Sequence, residues 1–207
     1  MTHTTENEDR RILMDLPVPI ITPRLLIRPV TPEDAPEMHA ALAETYEDLR
    51  LWMPWAKEPL TLDHYHGVAR RAHAKFILRE DFMMIACERN TGRPVVFTGI
   101  HRPDWDVRRF EVGFWCRKSA MGKGLVTEST NALVRYAFNV MAARTVSICH
   151  AHDNDKSRRV IERLNFHYEG RLRNATLTPD GKIHDHMWYS HINVNDLPAL
   201  DVTWGSP

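Results

Sequence analysis

The chain has 207 residues, with 27 Lys and Arg against 27 Asp and Glu, and 43% of its residues are hydrophobic. The balanced charge argues against a general nucleic-acid-binding protein, and the hydrophobic content argues against wholesale disorder. No apolar run approaches the ~20 residues of a membrane span, and the polar start of the chain is unlike a signal peptide. We therefore expect one cytoplasmic domain whose partners are neither nucleic acid nor membrane.

The first half of the chain predicts a strand, two helices and two further strands. The first strand covers residues 24–29, and the helix after it has Thr31 as its cap, Pro32 at its first position and an end near Thr45. The segment LRLWMPWAKEPL breaks the helical periodicity and predicts a loop. The remaining elements of this half are a helix over residues 62–78 and strands over residues 82–88 and 95–101.

The second half alternates strands and helices. Its predicted strands are residues 110–116, 145–151, 166–173 and 184–193, and its predicted helices are residues 124–141 and 155–164. The resulting order, β-α-α-β-β-β-α-β-α-β-β, indicates an α/β protein with a mixed sheet and helices on both faces. We expect the domain to cover residues 21–195, with tails at 1–20 and 196–207.

Alternation along strand 110–116 divides its side chains between two faces of the sheet. The face predicted to pack in the core carries Phe110, Val112, Phe114 and Cys116. The face on which chemistry could occur carries Glu111, Gly113 and Trp115.

The loop after this strand has glycines at 122 and 124 on either side of Lys123, where the next helix begins. A helix start offers unpaired N–H groups and the positive end of its dipole, which suits a phosphate ligand. The Walker loop and the dinucleotide fingerprint both fit poorly, since Gly124 follows Lys123 and position 127 is Thr. An ordinary strand-to-helix turn is the alternative.

Several motifs in order make the chain resemble the GCN5-related N-acetyltransferase (GNAT) superfamily, and within it the branch that acetylates the N-termini of ribosomal proteins. They are the Glu-x-Gly-x-aromatic strand, the loop 119–124, Asn154 with Ser157, and Phe166 followed by Glu169-Gly170. The resemblance covers residues 22–193 and implies the GNAT fold, with a central, mostly antiparallel twisted sheet. Ser119 departs from the family, whose loop usually has Gln or Arg there.

The resemblance implies acetyl-CoA as the co-substrate and a primary amine as the acceptor, and it allows a homodimer. The pyrophosphate is expected on the backbone from Met121 to Val126, with the pantetheine arm beside residues 114–117. The implied cofactor-binding residues are Trp115, Cys116, Arg117, Met121, Gly122, Lys123, Gly124, Leu125, Val126, Asn154 and Ser157. Gly113 is expected to leave space for the arm or the thioester.

Acetyl transfer requires a base for the ammonium and a group that stabilises the leaving thiolate. Glu111 is the candidate base, with a surface carboxylate or ion-pair partner as its alternative reading. Ser157 is the candidate that contacts the CoA sulfur, its alternative being a first-turn serine that bonds its own helix. An acyl-enzyme on Cys116 or Cys149 is disfavoured, because neither has a base partner in the sequence.

The acceptor pocket has four candidate residues, which are Trp52, Trp55, His101 and His150. The two tryptophans could equally anchor their loop to the core. We expect no metal site. The predicted activity is direct transfer of acetyl to an amine, either the N-terminal α-amine of a protein or a small metabolite or drug. A non-catalytic CoA-binding sensor is the rival from another class.

Overall fold

The structure, a computed structural model, describes residues 11–58 and 60–205. The strands are β1 (Ile20–Ile21), β2 (Leu25–Pro29), β3 (Phe82–Glu88), β4 (Pro94–Asp104), β5 (Arg109–Cys116), β6 (Thr145–Ala151), β7 (His167–Leu177), β8 (Ile183–His191) and β9 (Thr203–Trp204). The helices are α1 (Ala35–Leu49), α2 (Leu62–Ile77), α3 (Leu125–Asn139) and α4 (Asp155–Arg163). None of them has the length and hydrophobicity that a membrane span requires.

Local signals set the starts of these helices. Thr61 caps α2 by accepting a hydrogen bond from the N–H of His64, and Asn154 caps α4 by accepting one from Ser157. A short 3₁₀ turn at Pro32–Asp34 precedes α1. At the start of α3, Gly124 has a φ of 75°, which glycine adopts without the steric cost that other residues incur.

The strands form one nine-stranded sheet in the order β7-β8-β6-β5-β4-β3-β2-β1-β9. Every neighbouring pair is antiparallel except β5 and β6. That parallel pair joins only three positions, from Arg109↔Thr145 to Glu111↔Ser147. Beyond Glu111 the two strands diverge, so within the described residues the edge of β5 from Val112 to Cys116 has no strand partner on this side.

The helices cover both faces of the sheet, as predicted. We call the face against α1 and α2 the front face, where Ile85, Phe97 and Trp115 pack with those helices. The rear face packs against α3 and α4, and Phe110 and Val112 lie fully in that core. The expected alternation along β5 is therefore confirmed, since its apolar set faces the rear and Trp115 faces the front.

The element boundaries differ from the prediction at several ends, most of all at α1, β4 and β7, where the structure adds three or four residues. Helix α1 continues four residues past Thr45 to Leu49, because Leu49 is buried in the front core. The expected tails also contribute to the packed domain, although residues 1–10 lie outside the described residues. Leu16 and Ile20 are buried, and β1 pairs with both β2 and β9. Strands of two residues are too short for periodicity to detect.

Candidate active site

The divergence of β5 and β6 opens a cavity of about 540 Å³. Its walls are the open edge of β5, the loop before α3, the first turns of α4 and the end of α1 with the residues that follow it. Its lining residues include Asp48, Trp52, Phe114, Trp115, Cys116, Met121, Gly122, Gly124, Asn154, Lys156, Ser157, Arg159 and Arg163. The cavity therefore has contributions from both faces of the sheet.

The loop before α3 presents a row of unused hydrogen-bond donors. The backbone N–H groups from Gly122 to Thr127 donate no hydrogen bond to any described residue, and no side chain caps this helix. At Gly122, φ is 77°, and an added Cβ would meet no atom within 4 Å. A helix dipole of 15 residues also has its positive end here. This geometry suits a diphosphate or another anion.

The buried carboxylate of Glu128 connects the first turn of α3 to the turn between β1 and β2. Glu128 accepts hydrogen bonds from the Thr22 hydroxyl at 2.6 Å and from the backbone N–H of Arg24 at 2.9 Å. The Arg24 guanidinium pairs with the same carboxylate and donates to the carbonyl of Lys123 at 2.8 Å. The turn between β1 and β2 thereby holds the glycine loop in place.

The start of α4 brings two polar side chains to the cavity. The Asn154 side-chain oxygen accepts a hydrogen bond from the Ser157 N–H at 3.1 Å. The Ser157 hydroxyl makes no hydrogen bond with any residue that the structure describes, so it does not bond its own helix. It is available to a ligand in the cavity.

One side of the cavity is basic. Lys156, Arg159 and Arg163 line it at helical spacing on α4. Lys156 approaches Asp48 at 3.4 Å, whereas Arg159 and Arg163 have no ion-pair partner among the described residues. These two free guanidinium groups can bind the negative charge of a ligand in the cavity.

The front face carries His101, the ion pair of Glu111 with Arg102, and the partly buried thiol of Cys149. His101 and Glu111 lie directly opposite each other in the pairing of β4 with β5. Glu111 is ion-paired with Arg102, and this hydrogen bond raises the pKa of Arg102. Burial raises the pKa of the nearby Cys149 thiol to about 12. That thiol is therefore protonated at neutral pH and is a poor nucleophile.

The sequence matches the acetyltransferase (GNAT) domain family over residues 24–167. A Bacillus subtilis (strain 168) protein named "Putative ribosomal N-acetyltransferase YdaF" is 30% identical over 174 residues, which are 82% of this chain and 92% of that protein. The chain belongs to the GNAT acetyltransferase family.

Solved structures agree with this GNAT assignment at the level of the fold. One named "Probable acetyltransferase" has 27% identity and a TM-score of 0.78, over 84% of this chain and 95% of that one. The ribosomal L7/L12 alpha-N-protein acetyltransferase RimL, in complex with coenzyme A, also has a TM-score of 0.78 at 19% identity, over 83% of this chain and 96% of that one. The predicted GNAT fold is confirmed, and at least one structural relative binds CoA.

Most of the predicted cofactor-binding residues of this GNAT protein come together in the cavity. Those that line it are Trp115, Cys116, Met121, Gly122, Gly124, Leu125, Val126, Asn154 and Ser157. Lys123 does not line it, and lies instead with Arg24 and Arg89 around a neighbouring cavity of about 320 Å³.

The side chain of Arg117 also lies away from the cavity. Its side chain is only 4% exposed, donates to the Pro94 carbonyl at 3.1 Å and pairs with Glu37 at 2.7 Å and Glu44 at 3.5 Å. It joins α1 to the sheet. Ser119 lies beside Glu44, because its backbone N–H donates to that carboxylate at 2.5 Å. The side chain of Ser119 also contributes to lowering the pKa of Glu44.

The four predicted acceptor-pocket residues separate in the structure. Trp52 lines the cavity, with its ring 5.6 Å from that of His184. Trp55 is exposed on the front face, 6.4 Å from the Trp115 ring. His101 lies on the front face over Gly99 and Gly113 and does not itself line the cavity. His150 is on the opposite face, stacked on Tyr189 and buried, and burial lowers its pKa. An acceptor role for His150 is therefore not supported.

Gly113 does not leave the empty space that the sequence led us to expect on its front side. The imidazole of His101 lies there, and a Cβ added at Gly113 would be 3.3 Å from its Cδ2. The described residues contain no group of three or more His, Cys, Asp or Glu side chains that could hold a metal ion.

The sequence reasoning missed Arg24, Glu128, Arg159 and Arg163. The spacing of Lys156, Arg159 and Arg163 was a readable signal, because it places three cations on one face of a predicted helix. The contacts of Arg24 with Glu128 span 104 positions of sequence and had no local signal.

Proposed function

We propose that this protein is an acetyl-CoA-dependent N-acetyltransferase that transfers acetyl directly to a primary amine. The observation that carries the proposal is the cavity at the divergence of β5 and β6. There the free N–H groups of residues 122–127 lie near the unpaired edge of β5 and the free Ser157 hydroxyl. The free N–H groups suit a diphosphate, the unpaired strand edge suits a chain of amides, and the free hydroxyl suits a thioester sulfur.

The described residues fit acetyl-CoA chemically. The N–H groups of residues 122–127 would bind the pyrophosphate, with Arg159 and Arg163 supplying positive charge. The open backbone edge from Val112 to Cys116 would bind the pantetheine amides as an added strand does. When bound, acetyl-CoA supplies an activated acyl group and a thiolate leaving group.

Direct transfer is favoured over an acyl-enzyme because the nearby thiols are poor nucleophiles. Burial raises the pKa of Cys116 to about 11 and that of Cys149 to about 12. In the proposed mechanism the Ser157 hydroxyl donates a hydrogen bond to the leaving sulfur, and Asn154 orients Ser157. Glu111 and His101 are the two candidates that could accept the proton of the amine.

The acceptor that we propose is the N-terminal α-amine of a protein. The similarity to YdaF, whose name describes a ribosomal N-acetyltransferase, supports this class. The aromatic side chains of Trp52, Trp55 and Trp115 at the front of the cavity would form a wall for the acceptor chain. A small-molecule amine and a sensor without turnover are the competing outcomes of the test.

The deciding experiment measures thiol release from acetyl-CoA across a panel of acceptors. The panel contains short peptides with free α-amines, the same peptides with blocked N-termini and an internal lysine, and small primary amines such as ethanolamine and spermidine. Turnover confined to free α-amines supports the proposal, whereas turnover confined to small amines replaces the acceptor class. If acetyl-CoA raises the melting temperature without any thiol release, the protein is a sensor.

Replacing Ser157 with alanine should lower kcat about 10-fold while leaving the dissociation constant of acetyl-CoA nearly unchanged. The reason is that one hydrogen bond to a charged leaving group is lost in the transition state, at about 1.5 kcal/mol. Steady-state kinetics with the best panel acceptor measure this effect. Ser119→Ala is the matched control and should retain full activity, because Ser119 does not line the cavity. An unchanged kcat in S157A would remove Ser157 from the mechanism.

Replacing Arg159 and Arg163 together with alanine should weaken acetyl-CoA binding about 10-fold at low salt, with a smaller loss at high salt. Each is an exposed charge that gains only a modest, screened energy from a phosphate. Calorimetry at two salt concentrations measures the effect. Arg158→Ala is the control on the same helix, because Arg158 pairs with Asp155 and Glu162 instead. If Arg158→Ala weakened acetyl-CoA binding as much as the double substitution does, the assignment of Arg159 and Arg163 as phosphate-binding residues would be contradicted.

A further inference from the structure

The imidazole of His101 occupies a bay formed by two glycines on the front face. Gly99 of β4 and Gly113 of β5 are paired across the strands, and the ring lies over both. A Cβ added at Gly99 would be 2.6 Å from the His101 Cε1 and 2.7 Å from its Nε2. No side chain larger than glycine fits there without moving the ring. The two glycines thus leave room for the ring beside Gly113. Gly113 lies two residues after Glu111, the last position of β5 that pairs with β6.

Asp81, in the connection from α2 to β3, sets the orientation and the protonation of this ring. Its carboxylate oxygens lie 2.9 and 3.1 Å from the His101 Nδ1. A carboxylate only accepts, so Nδ1 carries the hydrogen of the neutral ring and Nε2 presents its lone pair. Nε2 makes no hydrogen bond with any described residue. It is therefore a proton acceptor without a partner, on the side where the strands diverge.

The alternative base, Glu111, has less freedom to accept a proton. Arg102 follows His101 at an irregularity in the β4–β5 pairing, and its φ of 47° is the left-handed conformation. Its guanidinium is hydrogen-bonded to Oε1 of Glu111. One carboxylate oxygen is thus already engaged by a permanent cation, whereas the lone pair of His101 is not engaged.

We propose that His101 is the proton acceptor for the amine and that Asp81 is its positioning residue. This inference rests on the proposed function. His101 Nε2 takes one proton from the ammonium, and the neutral amine then forms the N–C bond as the C–S bond breaks. The second amine proton ends on the released thiol, and His101 returns its own proton to solvent. The sum is an amide, a free thiol and one proton.

The charged and titratable groups around His101 are Asp81, Arg102 and Glu111, with Cys149 and His186 beyond them. Burial lowers the pKa of His186, and burial raises that of Cys149 to about 12. Both are therefore neutral near pH 7. General-base catalysis requires the unprotonated form of the base, so the rate should fall in acid.

The test is the pH dependence of kcat/KM for the best acceptor in the panel. His101→Gln should lower kcat about 100-fold and remove the acid limb of the profile, with the dissociation constant of acetyl-CoA unchanged. Asp81→Asn should lower kcat by about 10-fold, since it disturbs the tautomer while keeping the ring. In H101A, added imidazole should restore part of the activity, which a purely structural role would not allow.

His152→Gln is the matched control, because His152 also bonds an aspartate, Asp153, through Nδ1 but is exposed at the surface. It should keep the wild-type profile. If H101Q turns over normally with an unchanged acid limb, the inference is wrong while the proposed function stands. If the wild-type protein releases no thiol with any panel acceptor, the proposed function fails and the inference fails with it.

Discussion

Replacing Gly122 with leucine is expected to weaken acetyl-CoA binding at least about 100-fold, which corresponds to about 2.8 kcal/mol. The new side chain would project from a residue that lines the cavity, next to the free N–H groups of the loop. It would also place a substituted residue at a φ of 77°, at a cost of about 1–2 kcal/mol in stability. Calorimetric titration with acetyl-CoA, together with thermal unfolding, separates the two effects.

Gly92→Leu is the matched control for this substitution. Gly92 has a φ of 70° and no atom within 4 Å of an added Cβ, but it lies in the turn between β3 and β4 and does not line the cavity. It should lose a similar amount of stability and keep the wild-type affinity. Equal affinity in G122L and wild type would contradict the placement of the cofactor at this loop.

Replacing Arg117 with methionine is expected to lower the free energy of unfolding by about 3 kcal/mol. The guanidinium is buried between α1 and the sheet, where it donates to Pro94 and to Glu37. Methionine fills much of the volume but leaves these acceptors without their donor. Urea denaturation measures the change, and acetyl-CoA affinity should stay within about twofold, because Arg117 does not line the cavity.

Arg93→Met provides the comparison for this loss. Arg93 approaches the carboxylate of Glu44 at 3.6 Å, as Arg117 does at 3.5 Å, but the Arg93 side chain is 47% exposed. Water can replace an exposed ion pair, so the expected loss is at most about 0.5 kcal/mol. If R117M were as stable as R93M and bound acetyl-CoA poorly, Arg117 would be a cofactor residue after all.

Local patterns predicted most of the elements. The bounds of β3 and β6 agree with the prediction, since each strand is a compact apolar run between turn signals. The ends of α1 and the strands β1 and β9 could not be read in this way. Leu49 extends α1 because it packs in the front core, and β1 exists because β2 and β9 flank it. Both depend on contacts that are distant in sequence.

The candidate site divides in the same way. The glycines of the loop and the cap formed by Asn154 and Ser157 are local motifs, so their positions at helix starts could be predicted. The side chain of Arg117 could not be placed, because strand alternation ends at Cys116 and its partners Pro94, Glu37 and Glu44 are distant in sequence. The burial of His150 against Tyr189 could not be predicted either, because it depends on the pairing of β6 with β8.

By itself the sequence determined the order of the four helices and of strands β2 to β8, the two faces of β5 and the positions of the glycine loop and of Ser157. These follow from periodicity and from the backbone preferences of glycine and of capping residues, which act over a few neighbours. Only the tertiary structure decided that Asp81 meets His101 and that Arg102 meets Glu111. It also decided that β5 and β6 diverge after three pairs, since hydrogen bonding between strands depends on how the whole sheet packs.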